Sequence, residues 1–592
     1  MQKLTSFIRI QLWLCMIILP SILNSQSLRF VDEVPSPAVE NNVYKTAAFT
    51  TPPSSPVRTI GEWEELQGLM IAWKNSGSFY PTMLKQIVKS AKQECKVYIL
   101  TDNVSYVVNY LNNTANGGSV DTTNVVFLNN IQFNSVWCRD YGPWSVYTND
   151  VDSLLTIDWI YNRISRPLDN AVPLNFGNFI GTPVYQNTTA PWDFVNTGGN
   201  FMTDGFGTAF ASELVVEENG PGNNFGVLHT PAELDTIVKA FMGITKYIKM
   251  PTLPYDAIHH IDMHMKLLDE QTLLIGEYPQ GVADGPQIEA NLQYILSNFN
   301  SCFGTPYKVI RIPMPDDNGA YPNTTGDYFT YTNSSFVNNT IIVPTYNIPE
   351  DAQALQIYRD ALPGYKVVGI NSTASIGALG ALHCITKEIG TSDPLLISHQ
   401  KLEDTFDTLN GYTVNALMKH RSGISAATLF FRTDTTQPYT SVVMNYTGAN
   451  DIWTANIPAQ TVGAKVYYYV GATSNSGKSQ VRPMPAPLGY WRFTVLGLAS
   501  LAEHQNNSME VLPLFPNPSK GITCLPYKFY HSGNFKCWVT DITGNITATI
   551  YEGKISNGER KFFINTESFS AGVYFVHSLT NDAMQTQKLV VK

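Results

Sequence analysis

Charge is what this 592-residue chain has least of: Asp, Glu, Lys and Arg together make up 15% of it. That scarcity, beside 44% hydrophobic and 12% aromatic residues, excludes a disordered polyelectrolyte, a collagen-like polymer and a coiled coil. The formal charge is −10, and Lys and Arg nowhere gather into a block, so the footprint of a nucleic-acid binder is missing. Cysteine is scarce too, with seven in all. Setting aside Cys15, the remaining Cys95, Cys138, Cys302, Cys384, Cys524 and Cys537 are too few for a disulfide framework, and no spacing matches a zinc CxxC pair. Cys524 and Cys537 are close enough in sequence to be expected to pair. Past the N-terminus no apolar run is long enough for a stable membrane span.

What is present divides the chain. Lys3 and Arg9, the apolar run Ile10 to Leu23 and the small or polar Asn24 to Ser27 read as a signal peptide over residues 1–25. The run is shorter than the ~20 residues of a spanning helix, and Cys15 lacks the small residues that precede a lipid-anchored cysteine. Residues 26–58, with Pro35, Pro37, Pro52, Pro53 and Pro56, form a leader or linker. Residues 59–395 read as α/β. Strand-like Leu69–Trp73, Lys96–Leu100 and Thr340–Thr345 alternate with helical patterns over Pro81–Glu94 and Glu350–Ala361. Over residues 396–500 short alternating strands (Ala427–Arg432, Ser441–Asn445, Val466–Val470) between Gly, Asn, Thr and Pro clusters predict an immunoglobulin-like β-sandwich. A linker and a small terminal β domain occupy 501–592.

Four islands of the α/β region carry chemistry-bearing residues. In Trp137-Cys138-Arg139-Asp140-Tyr141-Gly142-Pro143-Trp144 the Gly-Pro turn places Asp140 at a strand end, and aromatic walls beside a carboxylate suit a flat cation. In His259-His260-Ile261-Asp262-Met263-His264, read as a strand, His260, Asp262 and His264 share one face. That string alone fits a metal site, an acid/base pair or a structural histidine. Asn333 in Tyr331-Thr332-Asn333-Ser334 fits a turn as well as a site. Cys384 follows a glycine-rich stretch, Gly377 to Gly380. On a strand its neighbour His383 faces the other way, which leaves His260 as its expected partner.

The C-terminal strings Leu514-Phe515-Pro516-Asn517-Pro518, Asp541-Ile542-Thr543-Gly544, Ala571-Gly572-Val573-Tyr574 and Lys588 to Lys592 resemble a type A sorting domain of the type IX secretion system of Bacteroidetes. That resemblance implies passage across the outer membrane, contact with the secretion machinery and a secreted or cell-surface product. The strings at 137–144, 197–205 (Thr-Gly-Gly-Asn-Phe-Met-Thr-Asp-Gly), 260–264, 331–334 and 380–384 together resemble the pentein superfamily. More narrowly they resemble the agmatine deiminase and Porphyromonas-type peptidylarginine deiminase family. The resemblance implies a five-bladed α/β propeller, hydrolysis of a guanidine and no cofactor or metal.

It implies that Cys384 is the nucleophile and His260 the acid and base. Asp140 and Asp262 would grip the guanidinium, Asn333 would orient these groups, and Trp137 would line the pocket. A carboxylate clamp of two arginines in an Asn-Arg-x-Arg pattern marks the peptidylarginine enzymes. Here Asn162 and Arg163 match, but Ser165 holds the second position and Arg166 follows one residue late. The expected substrate is peptidyl-arginine, C-terminal arginine in particular, giving citrulline and ammonia. Agmatine, giving N-carbamoylputrescine, is the alternative. A non-catalytic binding module would bind guanidines without product, and an amidinotransferase would need a second amine.

Overall fold

The computed structural model describes residues 48–75, 79–278, 283–315, 328–497, 509–580 and 584–592. The expected signal peptide, and the leader up to residue 47, lie outside the described residues. Between Val57 and Gly390 one unit recurs. An antiparallel strand pair is followed by a helix, which returns the chain to a third strand parallel to the second. In this way Thr208–Ser212 reaches Lys246–Met250 over helix Pro231–Met242, Thr272–Glu277 reaches Lys308–Pro313 over Gly285–Asn298, and Thr340–Thr345 reaches Lys366–Asn371 over Glu350–Ala361. Leu154–Tyr161 and Val184–Asn187 follow the same rule. In the remaining sheet Lys387–Gly390, the last strand of the region, pairs antiparallel with Leu66–Trp73, one of its first. Five small sheets result, with the two ends of the region joined through one of them.

The helices form where the apolar spacing says they should. Pro81–Ala91 starts on a proline and buries Met83, Leu84, Ile87, Val88 and Ala91 along one stripe. It ends three residues before the expected Glu94. Glu350–Ala361 has the expected bounds, with Glu350 and Asp351 against its positive N-terminal end. Pro231–Met242 is fixed at both ends by a Thr230–Glu233 capping box and by Gly243 at φ 71°. A Cβ on Gly243 would stand 1.8 Å from the Val57 carbonyl oxygen, so the glycine also lets the helix end meet the neighbouring strand.

From Leu396 onward the chain is all β. Tyr412–Lys419 alternates buried Tyr412, Val414, Ala416 and Met418 with outward residues, and its sheet faces a second one built on Ile424–Arg432 and Lys465–Ser474. Leu429, Tyr468, Val470 and Phe493 fill the space between them. The tail repeats the plan with sheets built on Ile522–Phe529 and Gly533–Thr540, around Leu525, Tyr527, Val539, Val576 and Leu589. No helix among the described residues is long and apolar enough to cross a membrane.

The expected Cys524–Cys537 pairing is corrected. Both thiols are free, because they sit on strands of two different sheets, and Cys537 contacts the Tyr527 hydroxyl instead. A chain starting at residue 28, denatured without reductant, is expected to titrate six thiols, those of Cys95, Cys138, Cys302, Cys384, Cys524 and Cys537. A count of four would overturn the unpaired assignment.

Candidate active site

The Trp137–Trp144 island does not end a strand. Cys138–Tyr141 makes one helical turn, closed by the Gly142 N–H donating to the Cys138 carbonyl at 2.7 Å, and the strand starts only at Trp144. A single turn sends neighbouring side chains to different places. Asp140 turns to the site, where its Oδ1 accepts the Gly199 N–H at 3.1 Å. Arg139 turns the other way and is buried against Glu388 at 2.6 Å, while its Nε donates to the His383 carbonyl at 3.2 Å. Its backbone N–H donates to the Cys384 carbonyl, also at 3.2 Å.

The Thr197–Gly205 string supplies close approach. A Cβ on Gly198 would lie 2.0 Å from the Arg139 carbonyl oxygen, and one on Gly199 would lie 2.4 Å from His260 Nδ1. Only glycine lets this segment pass between the Asp140 turn and His260.

His260 to His264 is a turn and not a strand, which corrects the one-face reading of His260, Asp262 and His264. His259 takes φ 58°, its carbonyl accepts the Ser212 hydroxyl at 2.6 Å, and Ile261–Met263 winds as a 3-10 turn. The tight turn still delivers two groups to the site. His260 Nδ1 lies 3.7 Å from Asp140 Oδ1, and Asp262 Oδ2 lies 3.7 Å from Cys384 Sγ.

Cys384 is also on a turn, with the strand beginning at Lys387, so the expectation that His383 faces away is corrected too. His383 Nδ1 lies 2.7 Å from the same Asp262 Oδ2 that Cys384 approaches. Asn333 holds this turn. Its Oδ1 accepts the N–H groups of Ala381 at 3.1 Å and His383 at 3.0 Å, and its Nδ2 donates to Cys384 Sγ at 3.2 Å. Trp137 packs beside it: a Cβ on Gly380 would lie 2.3 Å from the Trp137 ring and 3.1 Å from Cys384 Cβ.

Two carboxylates, those of Asp262 and Asp140, act on the thiol. Burial, followed by the charges of Asp262 and Asp140, pushes the Cys384 thiol well up, against the Asn333 hydrogen bond. Burial drives the His260 imidazole down despite the pull of Asp140 and Asp262. The Asp262 carboxyl is pushed up by burial, but the hydrogen bond and charge of His383 carry it below the usual range. Among the buried polar atoms without a hydrogen-bond partner are His260 Nε2 and Asp262 Oδ1.

The loop after strand Leu154–Tyr161 carries the two arginines. Arg166 is buried and donates to the Tyr161 hydroxyl at 2.9 Å. Arg163 is half-buried, donates to the Asn162 carbonyl at 3.0 Å, and its charge acts on both His260 and Glu218. Burial pushes the Glu218 carboxyl up to about 7 against Arg163 and the Asn162 amide.

Glu218, Glu62, Arg139 and His383 were not singled out by sequence. His383 lies inside a motif, but strand alternation put it on the wrong face. Glu62, in Gly61-Glu62-Trp63, had no signal at all. The elevated thiol predicts that iodoacetamide labels Cys384 slowly at pH 7 and faster only above the ordinary thiol range near about 8.5. Equal labelling rates at pH 7 and 9, read by mass spectrometry, would contradict it.

Comparison with known proteins fits this geometry. A family model described as Porphyromonas-type peptidyl-arginine deiminase matches residues 58–389, and a secretion system C-terminal sorting domain matches 513–592. The sorting domain supports export and a surface or secreted location. A protein from Vibrio parahaemolyticus bearing the name agmatine deiminase is 25% identical over 285 residues, 44% of this chain and 76% of its own. One from Listeria monocytogenes, similarly named, is 24% identical over 362 residues, 56% of this chain and 94% of its own. A solved structure named as an agmatine deiminase superposes with a TM-score of 0.50 at 22% identity over 59% of this chain and 99% of its own, a likeness of fold. With the matched segment spanning more than half its length, the chain belongs to the Porphyromonas-type peptidyl-arginine deiminase family, hydrolases of the C–N bonds of linear amidines.

Proposed function

We propose that the chain is an exported deiminase that converts C-terminal peptidyl-arginine to citrulline and ammonia. One observation carries the reading. A buried thiol, an unpartnered carboxylate oxygen and an unpartnered imidazole nitrogen converge at Cys384, Asp262 and His260, with Asp140 beside them.

In this reading a guanidinium brings positive charge to the site. Asp140 and Asp262 take its N–H groups in the planar fork geometry that carboxylates match. With the two acids neutralised, the Cys384 proton passes to His260 Nε2, and the thiolate attacks the guanidinium carbon. His260 returns the proton to the departing nitrogen, which leaves as ammonia. A covalent thiouronium remains on Sγ. Water then gives a proton to His260 and attacks the same carbon, the C–S bond breaks as His260 returns that proton to Sγ, and the adduct's hydroxyl proton leaves to solvent, giving the ureido product and restoring thiol and imidazole. Asn333 aims Sγ throughout, and Trp137 walls the pocket.

The five repeated sheets support a five-bladed propeller over 59–395, and the facing sheets after it support an immunoglobulin-like domain over 396–500 and a sorting domain over 501–592. Arg163 beside His260 favours a substrate ending in a carboxylate. Arg166, engaged with Tyr161, makes the clamp one-armed. Agmatine is the second reading, favoured by the Glu218 carboxyl near Arg163, which would offset that arginine's charge.

The test assays ureido product and ammonia from agmatine, free arginine, and peptides with C-terminal or internal arginine, with Cys384→Ala as the blank. C-terminal arginine is expected to be preferred. Arg163→Gln is expected to raise its KM about tenfold or more, the loss of one charge-assisted contact, and to leave agmatine little changed. A preference for agmatine overturns the substrate. No product from any of them by folded protein overturns the deiminase.

A further inference from the structure

Behind the site Glu62, His383 and Asp262 form a row, of which the reaction as written uses only Asp262. His383 Nε2 lies 2.7 Å from Glu62 Oε1, and its Nδ1 lies 2.7 Å from Asp262 Oδ2. A carboxylate only accepts hydrogen bonds, so both ring nitrogens carry a hydrogen unless one acid is protonated. Burial pushes the Glu62 carboxyl up, but the charges of His383, Lys266 and Arg139 bring it well below its ordinary range, and Asp262 is likewise held low. Lys266 stands 2.7 Å and Arg139 3.8 Å from Glu62. The ring therefore bridges two carboxyl groups, one at each nitrogen.

Its backbone is held as well. The His383 N–H is accepted by Asn333 Oδ1 at 3.0 Å, and its carbonyl accepts Arg139 Nε at 3.2 Å. Asp262 Oδ2 is thus occupied by His383 and approached by Cys384 Sγ, while Oδ1 has no partner.

We propose that His383 is a positioning residue: clamped by Glu62, it turns Asp262 so that one oxygen stays with the Cys384 turn and the other meets the substrate's cationic N–H fork. The inference rests on the deiminase reading and adds to it the group that aims the gripping carboxylate. A histidine that merely filled a buried polar niche would stabilise the turn without favouring cationic forks over neutral ones.

The test uses the full chain and two small electrophiles, 2-chloroacetamidine and 2-chloroacetamide. In each, the Sγ–CH2 bond forms and chloride leaves; only the first presents an amidinium fork. The readout is the ratio of the two second-order rate constants for Cys384 modification. His383→Asn is expected to lower the ratio about tenfold or more, the scale of one charge-assisted hydrogen bond. Glu62→Gln, which keeps an oxygen facing the ring but no charge, is expected to lower the ratio about threefold or more, and it decides the matter if His383→Asn does not fold. An unchanged ratio, or an equal fall in both rates, overturns the inference while wild-type ureido product leaves the deiminase standing. A wild-type ratio near one with no ureido product sinks the deiminase reading and the inference with it.

Discussion

Asp262 is buried next to a thiol, and a carboxylate in that position stays ionised only if a fixed cation faces it. His383 faces it at 2.7 Å, Glu62 stands on the far side of that ring, and Lys266 and Arg139 flank Glu62. The charge on the inner side is settled, whereas toward the cavity it is not. Asp140 and Asp262 raise the cost of a second anion on Cys384, so the thiol keeps its proton until a cation arrives. In the proposed reaction this arrangement couples activation of the thiol to binding of the cationic substrate.

The convergence also depends on backbones passing at very short range. Gly198 and Gly199 lie where any side chain would strike Arg139 or His260, and Gly380 lies where one would strike Trp137. Site residues come from turns at the ends of several sheets, so each sheet's own core can pack while its loop contributes one or two polar groups. Asn333 joins two of these turns, accepting backbone N–H groups around Cys384 and donating to its sulfur. Replacing it would leave buried N–H groups unpaired, each costing about 1–3 kcal/mol.

The sorting domain makes a different kind of contact with the rest. Arg560 meets Glu277 at 3.5 Å, Lys536 meets Asp404 at 3.1 Å, and the Asn565 amide donates to the Ser297 carbonyl at 3.2 Å. Partly exposed ion pairs are each worth about 0–1 kcal/mol. The tail's own two-sheet core, around Leu525, Tyr527 and Val539, is internal to it. Strand Ile546–Ile555 of the tail also packs along Lys308–Pro313 of the α/β region.

Much was legible in the linear chain. The five motif strings, the change to all-β texture near residue 396 and the bounds of helix Glu350–Ala361 all lie in local patterns that read directly. Local pattern failed where the backbone turns tightly. A five-residue string such as His260 to His264, or the stretch around Cys384, has the same alternation whether it is a strand or a turn, and the strand reading put His383 on the wrong face. Pairing over distance was beyond it altogether. Glu62 and His383 are 321 positions apart, and nothing near Glu62 marks it as that histidine's counter-ion. Cys524 and Cys537, neighbours in sequence, were separated onto two sheets. Residue identity determined which chemistry the chain can perform. Only the tertiary structure decided which charges face one another, because electrostatic balance in a buried site depends on distances that chain order does not encode.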